Sequence, residues 1–528
     1  MTTNTPPCHL LDTLHQQVLG QRRHLGELIR TRGTTRLRDW CTSLCTPWSQ
    51  PLPTSDSLFD TVYGHTARLL GSKTASRLTS HLEHSPHVLT ANHHGLDCYA
   101  QTLQGTLLFA LARFHQDAQI SSCFPVLACG NVSLNNLTYP QGIVLARKIK
   151  TPSGRNVSRW VPAKIPVFPR RQQHALASKL AAYTPAMLHK ARSLALSTSL
   201  GLLPSEQQAV LHLLDHVYPQ ALDHACFSDQ CTAINARAWH SMFSRDLAAI
   251  FPQPVYLELE TICTRLAMAD LTSTKSLLHT LLFDPCVRRE LMHALDGAVG
   301  CWSLEKLNDL GASSISVHNQ RAGTLFFWTV DHKGCKMPMN LVKTGSTHQL
   351  VPLRTTPQTR GEKWTPAGIM HALEHHRILP SLFTCYTLLA LVRGIVCHGG
   401  IYQTEYLPAM QAGVSRALRR TGHAQQADHA DTVRTNALCA GHNLAMAHYA
   451  DGTMVPAGRI EFMAGGGITP RHLEQMANLT LEQASLASLP ETFAPFLPAR
   501  WQSHAGYGEL THLVYQRLQD KLPCFAIS

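Results

Sequence analysis

The sequence has little charge, few aromatic residues and no long apolar run. Of its 528 residues, 15% are charged, 7% are aromatic and 44% are hydrophobic. A disordered chain would be more charged and less apolar, so this composition excludes intrinsic disorder and predicts an ordered globular protein. A chain of this length can bury several cores.

Signals for membranes and secretion are also missing. The most apolar window, residues 378–397, is interrupted by Pro380 and Arg393, so we predict a buried helix and strand there and no membrane span. Residues 1–7 lack the basic-then-apolar pattern of a secretion signal. The 16 cysteines are scattered singly, which favours reduced thiols over a disulfide framework. We therefore expect a cytoplasmic protein.

Basic residues exceed acidic ones but are concentrated in a single stretch. Lys and Arg number 46 against 34 Asp and Glu, a balance that favours anionic ligands weakly. Only residues 148–171 stand out as basic, and this stretch also contains several prolines. We predict a solvated loop or hairpin insertion there, and we do not expect nucleic acid as a partner.

The rest of the chain is organised around one predicted βαβ unit. An apolar strand at residues 88–91 leads into Asn92-His93-His94-Gly95-Leu96-Asp97, and a helix follows from 99 to 115. A second strand at 124–129 leads into Gly130-Asn131-Val132-Ser133. Ligands bind at the carboxyl ends of parallel strands, so we predict a site where these two turns face each other. Alternatively, Asn92 and Asp97 only cap the turn and one histidine is a core polar group.

A third turn resembles the first two in its position after a strand. The strand at residues 394–398 leads into His398-Gly399-Gly400, and a helix follows from about 404, with Gln403 and Tyr406 at its start. Backbone amides at such a helix start can hold an anion or a carboxylate. Further on, Gly465-Gly466-Gly467 precedes Thr469 and a proline, which indicates either a phosphate cradle or a simple tight turn.

Together these patterns predict an α/β fold with a parallel-sheet core. A strand at 255–259 should join the sheet, and a β-hairpin at 324–342 should form an inserted subdomain. We divide the chain into an N-terminal helical segment (1–85), a first core part (86–265), a helical and β-hairpin insertion (266–364), a second core part (365–420) and a C-terminal helical region with the glycine-rich loop (421–528).

These motifs resemble, in order and spacing, those of the bacillithiol biosynthesis cysteine-adding enzyme family. Thr90-Ala91-Asn92-His93-His94-Gly95-Leu96 is similar to that family's T-G-Q-Q-x-G-L. Gly399-Gly400-Ile401-Tyr402-Gln403-Thr404-Glu405-Tyr406 is similar to its G-G-P-G-E-I-A-Y. The resemblance covers residues 60–420. Where the family has an acidic E-D-H-D turn, this chain has Gly130-Asn131-Val132-Ser133, so we expect an uncharged site.

The resemblance implies a Rossmann-like core and a ligase-like biosynthetic enzyme that forms a C–N bond. It further implies a nucleotide of the ADP or ATP type or a small polar metabolite in the cleft, no metal, and dimerisation through the helical region. His93 or His94 would be the general acid or base, because an unperturbed imidazole exchanges protons near neutral pH. Asp97 would fix a histidine tautomer. The remaining roles are substrate orientation by Asn92, Asn131 and Gln403, and closure of the far wall by Tyr406.

Two other functions remain open. His371-Ala372-Leu373-Glu374-His375 matches H-x-x-E-H on a predicted helix, the arrangement that inverted zinc peptidases use. The chain would then be a zinc metallopeptidase. A third possibility is a non-catalytic protein that binds a metabolite or nucleotide and has lost the family's chemistry.

Overall fold

The structure is a computed structural model that describes residues 7–44, 56–116, 123–149, 159–309, 323–354 and 360–528. It is a mixed α/β fold. Its strands, in chain order, are β1 (His87–Leu89), β2 (Cys123–Ala128), β3 (Gly142–Ile149), β4 (Arg159–Pro166), β5 (Gln253–Glu258), β6 (Phe327–Val330), β7 (Lys336–Thr344), β8 (Thr347–Pro352), β9 (Glu362–Lys363), β10 (Ile378–Pro380), β11 (Val396–His398), β12 (Met446–Tyr449), β13 (Met454–Pro456) and β14 (Cys524–Ile527).

Helices surround and connect these strands. They are α1 (Pro7–Gln21), α2 (Arg23–Arg32), α3 (Leu37–Leu44), α4 (Asp56–Leu70), α5 (Ser72–His84), α6 (Ala100–Gln116), α7 (Pro185–Leu196), α8 (Pro204–His212), α9 (Phe227–His240), α10 (Arg245–Ala248), α11 (Leu259–Leu271), α12 (Leu277–Phe283), α13 (Pro285–Ala294), α14 (Leu304–Asp309), α15 (Pro366–Glu374), α16 (Leu382–Tyr386), α17 (Gln403–Arg420), α18 (Ala424–Thr432), α19 (Arg459–Ala464), α20 (Pro470–Asn478), α21 (Leu481–Leu486), α22 (Ala499–Gln502) and α23 (His504–Leu518). Among the described residues, no helix has both the length and the apolar character needed to cross a membrane.

A parallel sheet with the order β11-β1-β2-β5 forms the centre of the structure. Every neighbouring pair of its strands is parallel. Strands β1, β2 and β11 are buried along their whole length, because helices cover such a sheet on both faces. The chain runs from β1 to β2 and β5 on one side and places β11 on the other, so the strand order switches direction between β1 and β11.

The predicted βαβ unit is confirmed. Helix α6 connects β1 with β2, and its apolar face, which includes Leu103, Leu107 and Leu108, is buried in the main core. The strand predicted at residues 255–259 is β5, which pairs in parallel with β2. The helix predicted to carry the H-x-x-E-H motif is α15, whose first turn is capped by the Thr365 side chain accepting from the Gly368 amide.

The predicted β-hairpin is confirmed and is part of a larger antiparallel sheet. Strands β6 and β7 pair around a turn in which the Asp331 carboxylate accepts from the amides of Lys333 and Cys335. The sheet has the order β10-β6-β7-β8-β9. The basic stretch also contains a hairpin, formed by β3 and β4, and residues 150–158 within it lie outside the described residues.

The sequence predicted a helical C-terminal region. The structure has helices there and also a sheet with the order β13-β12-β14. Helices α1–α3 pack against this region and share one hydrophobic core with it. The Leu37 amide donates to the Leu479 carbonyl, and Arg36 forms a β-bridge with Thr480. The first and last segments of the chain are therefore packed against each other.

Candidate functional site

The three predicted turns lie at the same edge of the parallel sheet. The Thr90 amide donates to the His398 carbonyl at 2.9 Å, which joins the first and third turns. The Cys129 amide donates to the Asn92 carbonyl, and the His94 amide donates to the Cys129 carbonyl. These bonds extend the strand pairing beyond β1, β2 and β11. The sequence therefore located the carboxyl edge of the sheet correctly.

In the first turn, Asp97 is held by neutral hydrogen-bond donors. Its carboxylate accepts from Tyr256 Oη at 2.6 Å, Thr102 Oγ1 at 2.7 Å and Asn92 Nδ2 at 2.8 Å. The carboxyl is buried, which raises its pKa, while these hydrogen bonds oppose that shift. The prediction that Asp97 fixes a histidine tautomer is wrong, because the partners of its carboxylate are these hydroxyl and amide groups.

Both histidines of this turn have lowered pKa values. Burial lowers the pKa of His93 to about 4, and its Nδ1 lies 3.0 Å from Thr138 Oγ1. Burial also lowers the pKa of His94, whose Nε2 lies 3.0 Å from the Ser228 carbonyl oxygen. Both rings are therefore neutral near neutral pH. Their predicted acid–base role assumed an unperturbed imidazole pKa, and neither His93 nor His94 has one.

In the third turn, Gln403 fills the space where the sheet switches direction. Its Oε1 accepts from Thr90 Oγ1 at 3.0 Å and from Tyr386 Oη at 2.6 Å, and its Nε2 donates to the Cys397 carbonyl at 3.0 Å. A Cβ added to Gly399 would lie only 2.2 Å from the Gln403 side chain. The prediction that Gln403 orients a substrate is wrong, because its amide is used to connect β1, β11 and α16.

The neighbours of Gln403 are also buried in internal contacts. Tyr406 Oη donates to Tyr386 Oη at 3.4 Å, so it belongs to the Gln403 network. His398 lies 2.9 Å from His87 through ring nitrogens, and burial lowers its pKa far below the usual value. A cavity of about 210 Å³ lies outside the Gln403 network, between α2 and the start of α17. Its lining includes Arg32, Thr404 and Arg434.

The glycine-rich loop is a tight turn. The amides of residues 465–468 all donate to main-chain carbonyls, namely those of Glu461, Met463, Phe462 and Met242. Thr469 caps α20 by accepting from the His472 amide, and its own amide donates to His472 Nδ1. The phosphate cradle predicted at Gly465, Gly466, Gly467 and Thr469 is therefore wrong, because a cradle needs free amides.

The second turn faces two glutamates that the sequence analysis did not single out. Glu260, in the first turn of α11, accepts from the Gly130 amide at 2.7 Å, the Asn131 amide at 3.1 Å and Cys129 Sγ at 3.2 Å. Glu258 ends β5 beside them. The expectation of an uncharged site is wrong, because the end of β5 and the first turn of α11 supply carboxyl groups that the turn itself lacks.

Glu258 is buried without a hydrogen-bond partner. Its side chain is 4% exposed and packs against Gly130, where an added Cβ would lie 2.8 Å from Glu258 Cγ. Within the part of the chain that the structure describes, no hydrogen bond or ion pair engages its carboxylate, and the carboxylate oxygens keep some contact with solvent. Burying a carboxylate costs several kcal/mol unless it is paired. This side chain therefore marks a position that favours a positively charged group.

The groups around Glu258 are electrostatically coupled to it. Burial and the nearby Glu258 carboxylate raise the pKa of Glu260 to about 7. Burial lowers the pKa of Lys179, and the two carboxylates oppose that shift. We call Glu258, Glu260 and Lys179, together with Gly130, the carboxylate cluster. Lys179 is half-buried and the neighbouring His376 is exposed, so these two residues lie on the solvent side of the cluster.

Predicted residues of the second turn form one wall of the carboxylate cluster. Asn131 Nδ2 donates to the Pro380 carbonyl at 3.2 Å, and Ser178 Oγ donates to Asn131 Oδ1 at 3.2 Å. Ser133 instead donates to Asn135 Oδ1 at 2.7 Å, outside the cluster. A signal for the two glutamates was present, because Glu258 and Glu260 lie at the carboxyl end of the strand predicted at 255–259, where site residues are expected.

The H-x-x-E-H motif forms a separate group on the surface. His371, Glu374 and His375 are exposed at the end of α15, and one ligand atom from each lies within 4.8 Å of the others. They are the one such trio of His, Cys, Asp or Glu side chains among the described residues. The zinc peptidase prediction therefore gains a possible ligand set on the surface, while its substrate site stays a prediction.

Comparisons with protein-family models, curated proteins and solved structures find no match to this chain.

Proposed function

We propose that the protein is an enzyme that binds a small, polar, amine-bearing metabolite at the carboxylate cluster, pairs its ammonium group with Glu258 and transfers protons through Glu260. The observation that carries this proposal is the Glu258 carboxylate, which belongs to a largely buried residue, has no hydrogen-bond partner among the described residues and lies beside a second carboxyl group. An ammonium group would pair with Glu258 and offset the cost of burying it. Lys179 on the solvent side would limit the cluster to small substrates.

The reaction that fits this arrangement is formation of a C–N bond from an amine and an activated acyl compound. An ammonium must lose a proton before its nitrogen attacks the acyl carbon. Because its pKa is about 7, Glu260 can accept that proton near neutral pH and release it to solvent. The free amine then attacks the acyl carbon and the bond from this carbon to the leaving group breaks, while Glu260 takes the second proton from the nitrogen and gives it to the leaving group. Proton transfer of this kind typically accelerates a reaction by about 10²–10⁴-fold.

The same proposal includes a Rossmann-like core and a cytoplasmic location. The strand order β11-β1-β2-β5, with parallel pairing and the candidate site at the carboxyl edge, supports the former. The proposal contains no nucleotide at the glycine-rich loop, since the amides of that loop are bonded within the protein. Dimerisation is not needed for it, because one chain supplies every group of the carboxylate cluster.

A binding experiment tests the substrate class. Thermal-shift measurements with amino acids, amino sugars and polyamines should find amines that raise the melting temperature of the wild-type protein. Glu258→Gln keeps the size of the side chain and removes its charge, so this variant should lose the shift. Glu482→Gln, at an exposed position of α21, serves as the matched control. Equal shifts for wild type and Glu258→Gln would contradict the proposal.

Turnover separates an enzyme from a binding protein. With an amine identified in that screen and an activated acyl compound, Glu260→Gln should retain amine binding and lose most of its turnover. The conjugate is measured by mass spectrometry. Amine binding without product formation in the wild type, across a panel of acyl phosphates and thioesters, would favour the non-catalytic alternative.

A further inference from the structure

The exposed side chains at the end of α15 have the composition and spacing of a metal site. His371 and His375 are one helical turn apart, with ring centroids 4.1 Å from each other, and Glu374 lies between them in sequence. Their ligand atoms all lie within 4.8 Å of one another. Binding of an ion at about 2.0–2.2 Å from each atom would require only rotation of exposed side chains.

A hydrogen bond to the backbone fixes the neutral His375 ring in the tautomer that can bind a metal ion through Nε2. Its Nδ1 lies 2.9 Å from the His371 carbonyl oxygen, and because a carbonyl can only accept, Nδ1 carries the proton. The Nε2 lone pair of the neutral ring is then free for an ion. Metal-binding histidines commonly donate their second ring nitrogen to a carbonyl or carboxylate in this way, which fixes the ring orientation.

The chain contains a second motif with the same spacing that lacks this arrangement. His212 and His216 are also one turn apart, and Asp215 stands where Glu374 stands in the first motif. However, the Asp215 carboxylate accepts from Arg192 Nε at 2.8 Å, and the backbone from Leu213 is π-helical. The ring centroids are 5.3 Å apart. Among the described residues, the ligand atoms of this second trio do not all come within 4.8 Å of one another, as those of the first trio do.

We propose that His371, Glu374 and His375 form a surface site for a divalent transition-metal ion such as Zn²⁺, Ni²⁺ or Co²⁺. Two imidazoles and one carboxylate suit these ions, whereas Mg²⁺ and Ca²⁺ prefer oxygen ligands. Three protein ligands leave at least one position of the ion open to solvent. The site is independent of the carboxylate cluster, and it serves binding of the ion and of an external ligand at that open position.

Titration of the full-length protein with Co²⁺, followed by its visible absorption and by calorimetry, tests this proposal. Co²⁺ distinguishes the site from the 16 cysteines, because thiolate ligands give a charge-transfer band that nitrogen and oxygen ligands do not. We expect one ion per chain without that band. His371→Ala and His375→Ala should each lower the affinity at least about tenfold, and His212→Ala with His216→Ala should leave it unchanged.

Other results would overturn the proposal. These are the absence of saturable binding in the wild type, equal affinity after both His371 and His375 are replaced, and loss of binding in the His212 and His216 variant. Circular dichroism confirms that each variant is folded, which is expected because all three ligand side chains are exposed. Amine binding at the carboxylate cluster is measured separately, so a failure here leaves the proposed function untouched.

Discussion

Glu258 and Gly130 are in direct contact, since the glutamate side chain occupies the space in which any larger residue at position 130 would place its Cβ. The strand β5 and the turn after β2 therefore determine together where this carboxylate lies. Because of this contact, a single methyl group added at position 130 would displace the Glu258 side chain.

Gly130→Ala should displace the Glu258 carboxylate. The added Cβ would lie 2.8 Å from Glu258 Cγ and 3.0 Å from Ser178 Cβ, and overpacking of this kind costs about 1–3 kcal/mol. We expect a lower free energy of unfolding in urea and loss of amine binding. Gly64→Ala in α4 is the control, because nothing lies within 4 Å of its added Cβ. Unchanged amine affinity in Gly130→Ala would contradict the assignment.

The contribution of Glu260 to stability should fall as the pH rises. Its pKa in the folded protein is about 7, above the ordinary glutamate value of 4.5, so the folded state binds the proton more tightly than the unfolded state. The favourable contribution is therefore present at low pH and is lost as the pH increases from about 4.5 to 7. The change should be at most about 3 kcal/mol.

The measurement compares wild type with Glu260→Gln in denaturant titrations across this pH range. With increasing pH, the free energy of unfolding of the wild type should fall relative to that of Glu260→Gln, because the glutamine of the variant does not titrate. The comparison is needed because Glu461 and Glu491 also have pKa values raised to about 7 by burial. A constant difference between the two proteins would show that Glu260 keeps an ordinary pKa.

Asp97→Asn should act on stability. The carboxylate accepts three short hydrogen bonds in the interior, and an amide cannot accept all of them. An unsatisfied buried donor costs about 1–3 kcal/mol, and we expect a destabilisation of that size in urea unfolding. Asp60→Asn, at an exposed position of α4, is the control. A fully stable variant would restore the possibility of a direct role for Asp97 in catalysis.

Gln403→Ala should remove the contact that joins Thr90, β11 and α16. The substitution removes the acceptor of Thr90 and Tyr386 and leaves a cavity in a region that is now filled. Both effects are destabilising, together by about 2–4 kcal/mol. Thermal unfolding measures the loss. If Gln403 instead contacted a substrate, the variant would keep its stability and lose amine binding.

The sequence predicted the parallel sheet because its strands are short apolar runs that end in polar turns. It missed β12–β14 because β12 pairs with β14, which lies about 75 residues later in the chain, and neither strand has a distinctive pattern. The positions of the site turns followed from the rule for parallel strands. The roles of Gln403 and the glycine-rich loop could not be predicted in this way, because only the tertiary fold determines whether a polar group is hydrogen-bonded within the protein. Glu258 and Glu260 were accessible to the same rule, but they lie where β5 passes directly into α11, without a glycine or histidine turn to mark the position.

The packing of α1–α3 against the C-terminal region constrains the order in which the chain can fold. Leu37 donates its amide to Leu479, so the N-terminal helices leave the ribosome long before their docking surface exists. At about 5–20 residues per second this interval is roughly 20–90 s. During that time α1 can pack on α2, and α3 can pack on α6, which follows it closely in the chain. The faces of these helices that contact α20, α21 and α23 stay without their native partners until the C-terminal region has been made.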